Sequence, residues 1–187
     1  MAVTAKGTPY VESSDLVANY PGASLALANH IDTIGKVLQV VSVLKQDTFS
    51  TSSTSYTDVT GLSVSITPSS VSSTILVVVN LALVNSTLNR STRGAIIRGS
   101  TIIGGGTPAG NRPAGSFFFR SASGDNSWSP NAMTVLDSPA TVSALTYKIQ
   151  VATESGGSAR VNQSKMDDSD NEVNPRLASS ITVMEIT

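Results

Sequence analysis

The chain has 187 residues, a mass of 19.3 kDa and a formal net charge of −1, and only 13% of its residues are charged, against roughly 25% in an average soluble domain. That length is enough for one ordinary domain with a real core. The absence of cysteine excludes a disulfide framework, a thiolate metal site and a cysteine nucleophile. A pI near 5.7 with both signs of charge present argues against a broad nucleic-acid-binding face. The longest apolar run, residues 74–84, is interrupted by Asn80 and falls short of the about 20 residues that a spanning helix needs. The N-terminal stretch lacks the apolar segment of a secretory signal, so release into the cytoplasm is expected. With 30 Ser, 20 Thr, 20 Val and 11 Ile, the composition is that of strands with one apolar and one hydroxyl-bearing face.

Residues 1–35 hold the one good helix signal. Gly7-Thr8-Pro9-Tyr10 and Asn19-Tyr20-Pro21 suggest an extended arm carrying aromatic residues. Pro21-Gly22 then breaks the chain, Ser24 is a candidate N-cap, and Leu25, Ala28, Ile31 and Ile34 recur at spacing three with Leu27 beside them. Gly35 stands where a helix-ending glycine belongs. A helix of about three turns is too short to be stable alone, so this apolar stripe is expected to dock on its own domain, a sister subunit or a larger assembly.

From residue 36 onward the pattern is one strand after another. Residues 37–44 form a first, mostly buried strand. Residues 62–67 alternate cleanly, Pro68-Ser69-Ser70 turns the chain, and residues 75–84 are apolar on both faces. Gly99-Ser100 lies between two apolar runs and predicts a type II′ hairpin. Further strands are expected around Phe117-Phe118-Phe119, residues 132–136, residues 145–151, Ala159-Arg160-Val161 and residues 181–186. Nine or ten short strands with turn signals between them suit a β-sandwich or barrel and leave no place for a parallel α/β sheet. In the last strand Ile181 and Val183 point to one face, Met184 and Ile186 to the other. Together with Val78 and Leu81 of the run at 75–84, these residues predict a subunit interface and hence an oligomer.

Little in the chain has the pattern of catalytic chemistry. The single histidine, His30, sits in the short helix with no partner pattern for a triad. Asp168, Asp170 and Glu172 alternate as calcium ligands do, but the glycine of a calcium loop is missing, so residues 167–172 are expected to be a solvated acidic loop, with a loose calcium or magnesium site as the alternative. Gly104-Gly105-Gly106 lacks the ending of a phosphate loop. Arg90, Arg93, Arg98 and Arg112 gather before the Phe run, as dispersed surface charge or as contacts to a subunit or an anionic glycan. Trp128, with Asn126 beside it in a turn-rich loop, and Arg112 at the end of the Gly104–Arg112 segment, are the candidate ligand-binding residues. No base–nucleophile pair stands out, so no enzyme, no cofactor and no metal are expected.

Residues 48–68 (TFS…YTDVTGLSVSITP), 136–140 (LDSPA), 146–151 (TYKIQV) and 179–185 (SSITVME) resemble domains of bacteriophage tail-fibre and other virion structural proteins. The stretch GTPY…SDLV…LALANHID over residues 7–32 is similar to the arm that begins many phage surface proteins. The layout of strands is similar to that of trimeric jelly-roll knobs of the C1q/TNF type. The resemblance implies an all-β antiparallel jelly-roll sandwich over residues 36–187 behind an attachment arm over residues 1–35. It implies a virion protein assembled in the host cytoplasm as a homotrimer and held to other virion proteins through Tyr10, Tyr20, Leu25, Leu27 and Ile31. A short tail fibre or fibre tip binding a host-surface glycan is the first expectation, and a head-decoration (cement) protein is the alternative. Neither nucleic acid nor membrane insertion enters either reading.

Overall fold

The computed structural model describes residues 2–3, 9–10, 20–33, 35–122, 129–165, 167 and 174–187. The chain divides into two units, Met1–Val37 with Thr187, and Leu38–Ile186.

In the first unit β1 (Ala2–Val3) pairs antiparallel with β2 (Pro9–Tyr10), followed by α1 (Tyr20–Thr33). The helix starts four residues before the expected Ser24 cap and takes Pro21 into its first turn. Proline lacks the N–H that a first-turn residue would leave unpaired, and its fixed φ is helical, so Pro21-Gly22 opens the helix instead of breaking the chain. Leu25 is 62% exposed and Leu27 is half-buried. Ile34 lies outside the described residues.

The second unit is an all-β sandwich. Its strands are β3 (Val37–Lys45), β4 (Phe49–Thr51), β5 (Thr57–Ile66), β6 (Thr74–Asn85), β7 (Ser91–Arg98), β8 (Thr101–Ile103), β9 (Phe117–Arg120), β10 (Ser129–Asp137), β11 (Leu145–Thr153), β12 (Ala159–Val161) and β13 (Ser179–Ile186). One sheet runs β3-β13-β6, with β10 on the far side of β6, and β12 and β4 continuing from the C-terminal end of β6. The other runs β5-β11-β7, with β8 and β9 sharing the free edge of β7. The long strands β3, β5, β6, β7, β10, β11 and β13 thus alternate between the sheets in chain order, and the last of them, β13, lies between β3 and β6. This is the double Greek-key order of a jelly roll.

The alternation expected from sequence puts Ile75, Val77, Val79, Leu81 and Leu83 of β6 inward, facing Leu62, Val64 and Ile66 of β5 and Tyr147, Ile149 and Val151 of β11, all nearly inaccessible. Gly99 has φ +59 and Arg98 pairs with Thr101, as a type II′ hairpin requires. One strand departs from expectation. β3 is not mostly buried, because it is a sheet edge whose outward residues Leu38, Val40 and Leu44 are 45%, 55% and 61% exposed.

Two polar clusters, one buried and one half-buried, tie the strands together. The Glu185 carboxylate, fully buried on the inner side of β13, accepts Ser69 N–H (2.7 Å), Ser69 Oγ (2.6 Å), Ser73 Oγ (2.7 Å) and Gln39 Nε2 (2.6 Å). Burial opposes its ionisation, but these donors outweigh that cost and hold its pKa down at about 2. Asp137 takes both its oxygens to Arg98 Nη1 at 2.8 Å and accepts Tyr147 Oη at 2.7 Å. Burial first, then this carboxylate, pushes the Tyr147 phenol up. Asn85 and Asn162, each the first residue of an Asn-x-Ser/Thr triplet, are completely buried and fully engaged in hydrogen bonds, so neither is a glycan acceptor.

Candidate functional site

Two surfaces stand out. The first is the outer face of the sheet β10-β6-β13-β3. Because side chains alternate along a strand, the residues that do not enter the core line up in rows across it. Leu136 stands opposite Leu76, and Leu76 opposite Met184. Ile186 pairs with Thr74, and Val78 lies between Thr134 and Thr182. Leu38 and Val40 extend this apolar surface on β3. Leu136 is 61% exposed, while Leu76, Val78, Met184 and Ile186 are half-buried by their neighbours alone. On the same face Ser42 Oγ and Thr182 Oγ1 share a 2.7 Å hydrogen bond.

The second surface is a groove on the outer side of the other sheet. The chain leaves the edge of β7 after Ile103 and rejoins it at Phe117, so residues 104–116 are an excursion from that edge. It starts at Gly104, where a Cβ would stand 2.4 Å from Val135 Cγ2 and φ is +61, so only glycine fits. Its tip is a tight turn in which Ala109 and Arg112 exchange backbone hydrogen bonds around Gly110, φ +57. Ser116 Oγ then accepts Ile96 N–H and donates to Ile103 O, and Tyr56 Oη donates to Ala114 O, which seats the return on the sheet. Between excursion, β7 and β9 lies a cavity of about 390 Å³ lined by Ser91, Arg93, Arg112, Pro113, Gly115, Ser116, Phe117 and Phe118.

The expected site residues divide accordingly. Val78, Met184 and Ile186 share the outer sheet face. Leu81, expected with them, is 1% exposed and sits in the core: three residues from Val78, an odd number, it must point the other way in a strand. Arg112 is exposed and lines the groove. Trp128 and Asn126 lie outside the described residues, as does most of the acidic loop; Asp167 is paired with Arg176 at 3.1 Å. Tyr10 lies in β2, Tyr20 begins α1, and Leu25, Leu27 and Ile31 follow along it. Among the described residues no His, Asp and Glu side chains gather as three or more potential metal ligands, and no helix is long and apolar enough to cross a membrane.

Of the arginines gathered before the Phe run, Arg93 and Arg112 line the groove; the residue missed in sequence was Phe118. The run was expected only as a strand; within it Phe117 is 6% and Phe118 64% exposed. Strand alternation across the run was the available signal.

No protein-family model and no characterised protein sequence matches the chain. Among solved structures, the infectious bursal disease virus VP2 subviral particle is similar at a TM-score of 0.38 and 10% identity, over 82% of this chain and 41% of that one. The present chain thus spans about two fifths of the length of that chain.

Proposed function

We propose that the chain is a non-enzymatic structural protein of a bacteriophage virion: a short tail fibre or fibre tip, assembled in the host cytoplasm, held to other virion proteins by residues 1–35 and displaying the sandwich as a trimeric knob for host-surface binding. The observation that carries this reading is the apolar row Leu136-Leu76-Met184, continued by Leu38, Val40 and Ile186, on the outside of a sheet whose inside is already a complete core. A soluble monomer rarely leaves such a contiguous patch in water, and covering it with two further copies follows the resemblance to trimeric jelly-roll knobs. The proposed interface is therefore Val78, Met184 and Ile186 with these neighbours, without Leu81. Light scattering on the full chain at micromolar concentration tests it. The expected mass is three times 19.3 kDa, and a stable monomer refutes the trimer. Deleting residues 1–35 is expected to leave a folded knob that no longer enters virions; normal incorporation refutes the attachment role.

A second reading, a decoration protein cementing the capsid, is favoured by one feature: α1 ends at Thr33 and β3 starts at Val37, so no shaft separates helix from sandwich. Copy number separates the two. A protein covering the whole shell is a cement, and a few copies at the tail mean a fibre.

A further inference from the structure

Most cationic side chains of the sandwich have a carboxylate partner. Arg90 and Arg120 share Glu154 (3.0 and 3.9 Å), Arg98 holds Asp137, Lys45 holds Asp47 and Lys148 holds Asp58. The two arginines that line the groove have no carboxylate partner among the described residues. Arg93 donates through Nη2 to the Thr54 carbonyl and lies over the Tyr56 ring, 5.5 Å from its centroid, while its Nε–H is buried with no acceptor. Arg112 uses only Nε, on Ala109 O. The nearby Glu154 is already paired with Arg90 and Arg120, and the Ser91 N–H, followed by Arg90, holds its pKa below the usual range. The groove is therefore a positively charged recess in which neither guanidinium meets a carboxylate among the described residues.

Its other wall is Phe118, 64% exposed although its neighbours Phe117 and Phe119 pack into or against the core. An aromatic face in water beside fork-shaped donors is the equipment for a ring that carries an oxyanion. Guanidinium groups match a carboxylate in bidentate geometry, and the aromatic face takes the apolar side of the ring. The volume, about 390 Å³, lies within the usual range for small-molecule sites. Arg93 is pre-positioned by Thr54 and Tyr56, which lowers the ordering cost of binding.

We propose that the groove formed by Arg93, Arg112 and Phe118 binds an acidic sugar, with the carboxylate on the arginines and the pyranose ring on Phe118. This deepens the host-surface-binding reading and rests on it for the source of the ligand, but not for the site itself. The test is a titration of the full-length chain with sodium glucuronate, followed by calorimetry and by ¹H–¹⁵N shifts, with glucose and inorganic phosphate as parallel arms at matched ionic strength. Saturable glucuronate binding, with a dissociation constant on the order of 1 mM for so small a ligand, is expected, with no saturation by glucose and weaker binding of phosphate. Arg112→Ala is expected to weaken glucuronate binding about tenfold or more, and Arg112→Lys, which keeps charge and loses the fork, to restore little of it. Phe118→Ala is expected to weaken glucuronate and leave phosphate unchanged. Both positions are exposed, and an unchanged thermal midpoint checks that the variants fold.

No glucuronate binding overturns the proposal. Equal binding of phosphate and glucuronate, indifferent to Phe118→Ala, overturns it as well, leaving an anion hole. Adsorption of the chain to host cells is a separate measurement. If glucuronate binds while cells are ignored, the sugar site stands and the host-attachment reading fails; if cells are bound and glucuronate is not, the reverse holds.

Discussion

Replacing Glu185 by glutamine tests how the C-terminal strand is anchored. In the native chain four donors from three residues meet one carboxylate, and those residues come from β3 and from the loop between β5 and β6. Hydrogen bonds to a charged acceptor contribute about 1.5–3 kcal/mol each and neutral ones about 0.5–1.5. Glutamine has one acceptor oxygen where glutamate has two, so at least one donor faces an amide N–H₂. The Ser73 hydroxyl is itself buried, and water cannot replace its acceptor. The expected cost of Glu185→Gln at pH 7 is about 2–4 kcal/mol.

The pH dependence follows from the depressed pKa, about 2 in the folded chain against an ordinary 4.5. A carboxylate lowered on folding stabilises fully above its unfolded pKa. That stabilisation is lost as pH falls from about 4.5 towards 2, at up to about 1.4 kcal/mol per pH unit. Asp47, Asp58 and Glu154 are lowered too, but they are common to both proteins. Urea unfolding of wild type and variant, at one protomer concentration and at pH 7, 4.5, 3 and 2.5, followed by circular dichroism, isolates Glu185 as the difference. The two stabilities should converge as pH falls. Parallel curves with a constant gap would show that the carboxylate is not the anchor.

Gly104→Ala should cost about 2–3 kcal/mol, because the new methyl meets Val135 Cγ2 and φ is +61; denaturant midpoints check this, and a neutral result would mean that the excursion is not held over β10. Asn162→Ala should cost about 3 kcal/mol or more, since its amide donates to the Lys45 and Asp47 carbonyls and its oxygen accepts the Ser179 hydroxyl in a completely buried position at φ 62. Tyr147→Phe keeps the ring and removes one hydrogen bond to Asp137, an expected loss of about 1 kcal/mol. Leu136→Asp on the outer sheet face should abolish the proposed trimer without unfolding the knob; sedimentation showing an intact trimer would place the interface elsewhere.

Period-two alternation made the strands legible from composition and pattern alone. β5, β6, β11 and β13 occur where apolar and hydroxyl residues alternate or where apolar runs sit between turns, and Gly99-Ser100 announced its hairpin. These are local properties of a few consecutive residues, set by backbone sterics and side-chain chemistry. Parity along β13 likewise put Met184 and Ile186 on one face and Val183 on the other, whereas the same rule applied to β6 would have separated Leu81 from Val78. What the pattern leaves open is which strand lies beside which. The placement of β13 between β3 and β6, the return of residues 104–116 to the edge of β7, and the gathering of Gln39, Ser69 and Ser73 around Glu185 all join residues far apart in the chain. A glutamate in an apolar strand or an arginine beside a glycine-rich loop carries no local sign of its partners. Only the packing of the two sheets decided that Glu185 is buried and satisfied, and that Arg93 and Arg112 line one groove with no carboxylate partner among the described residues.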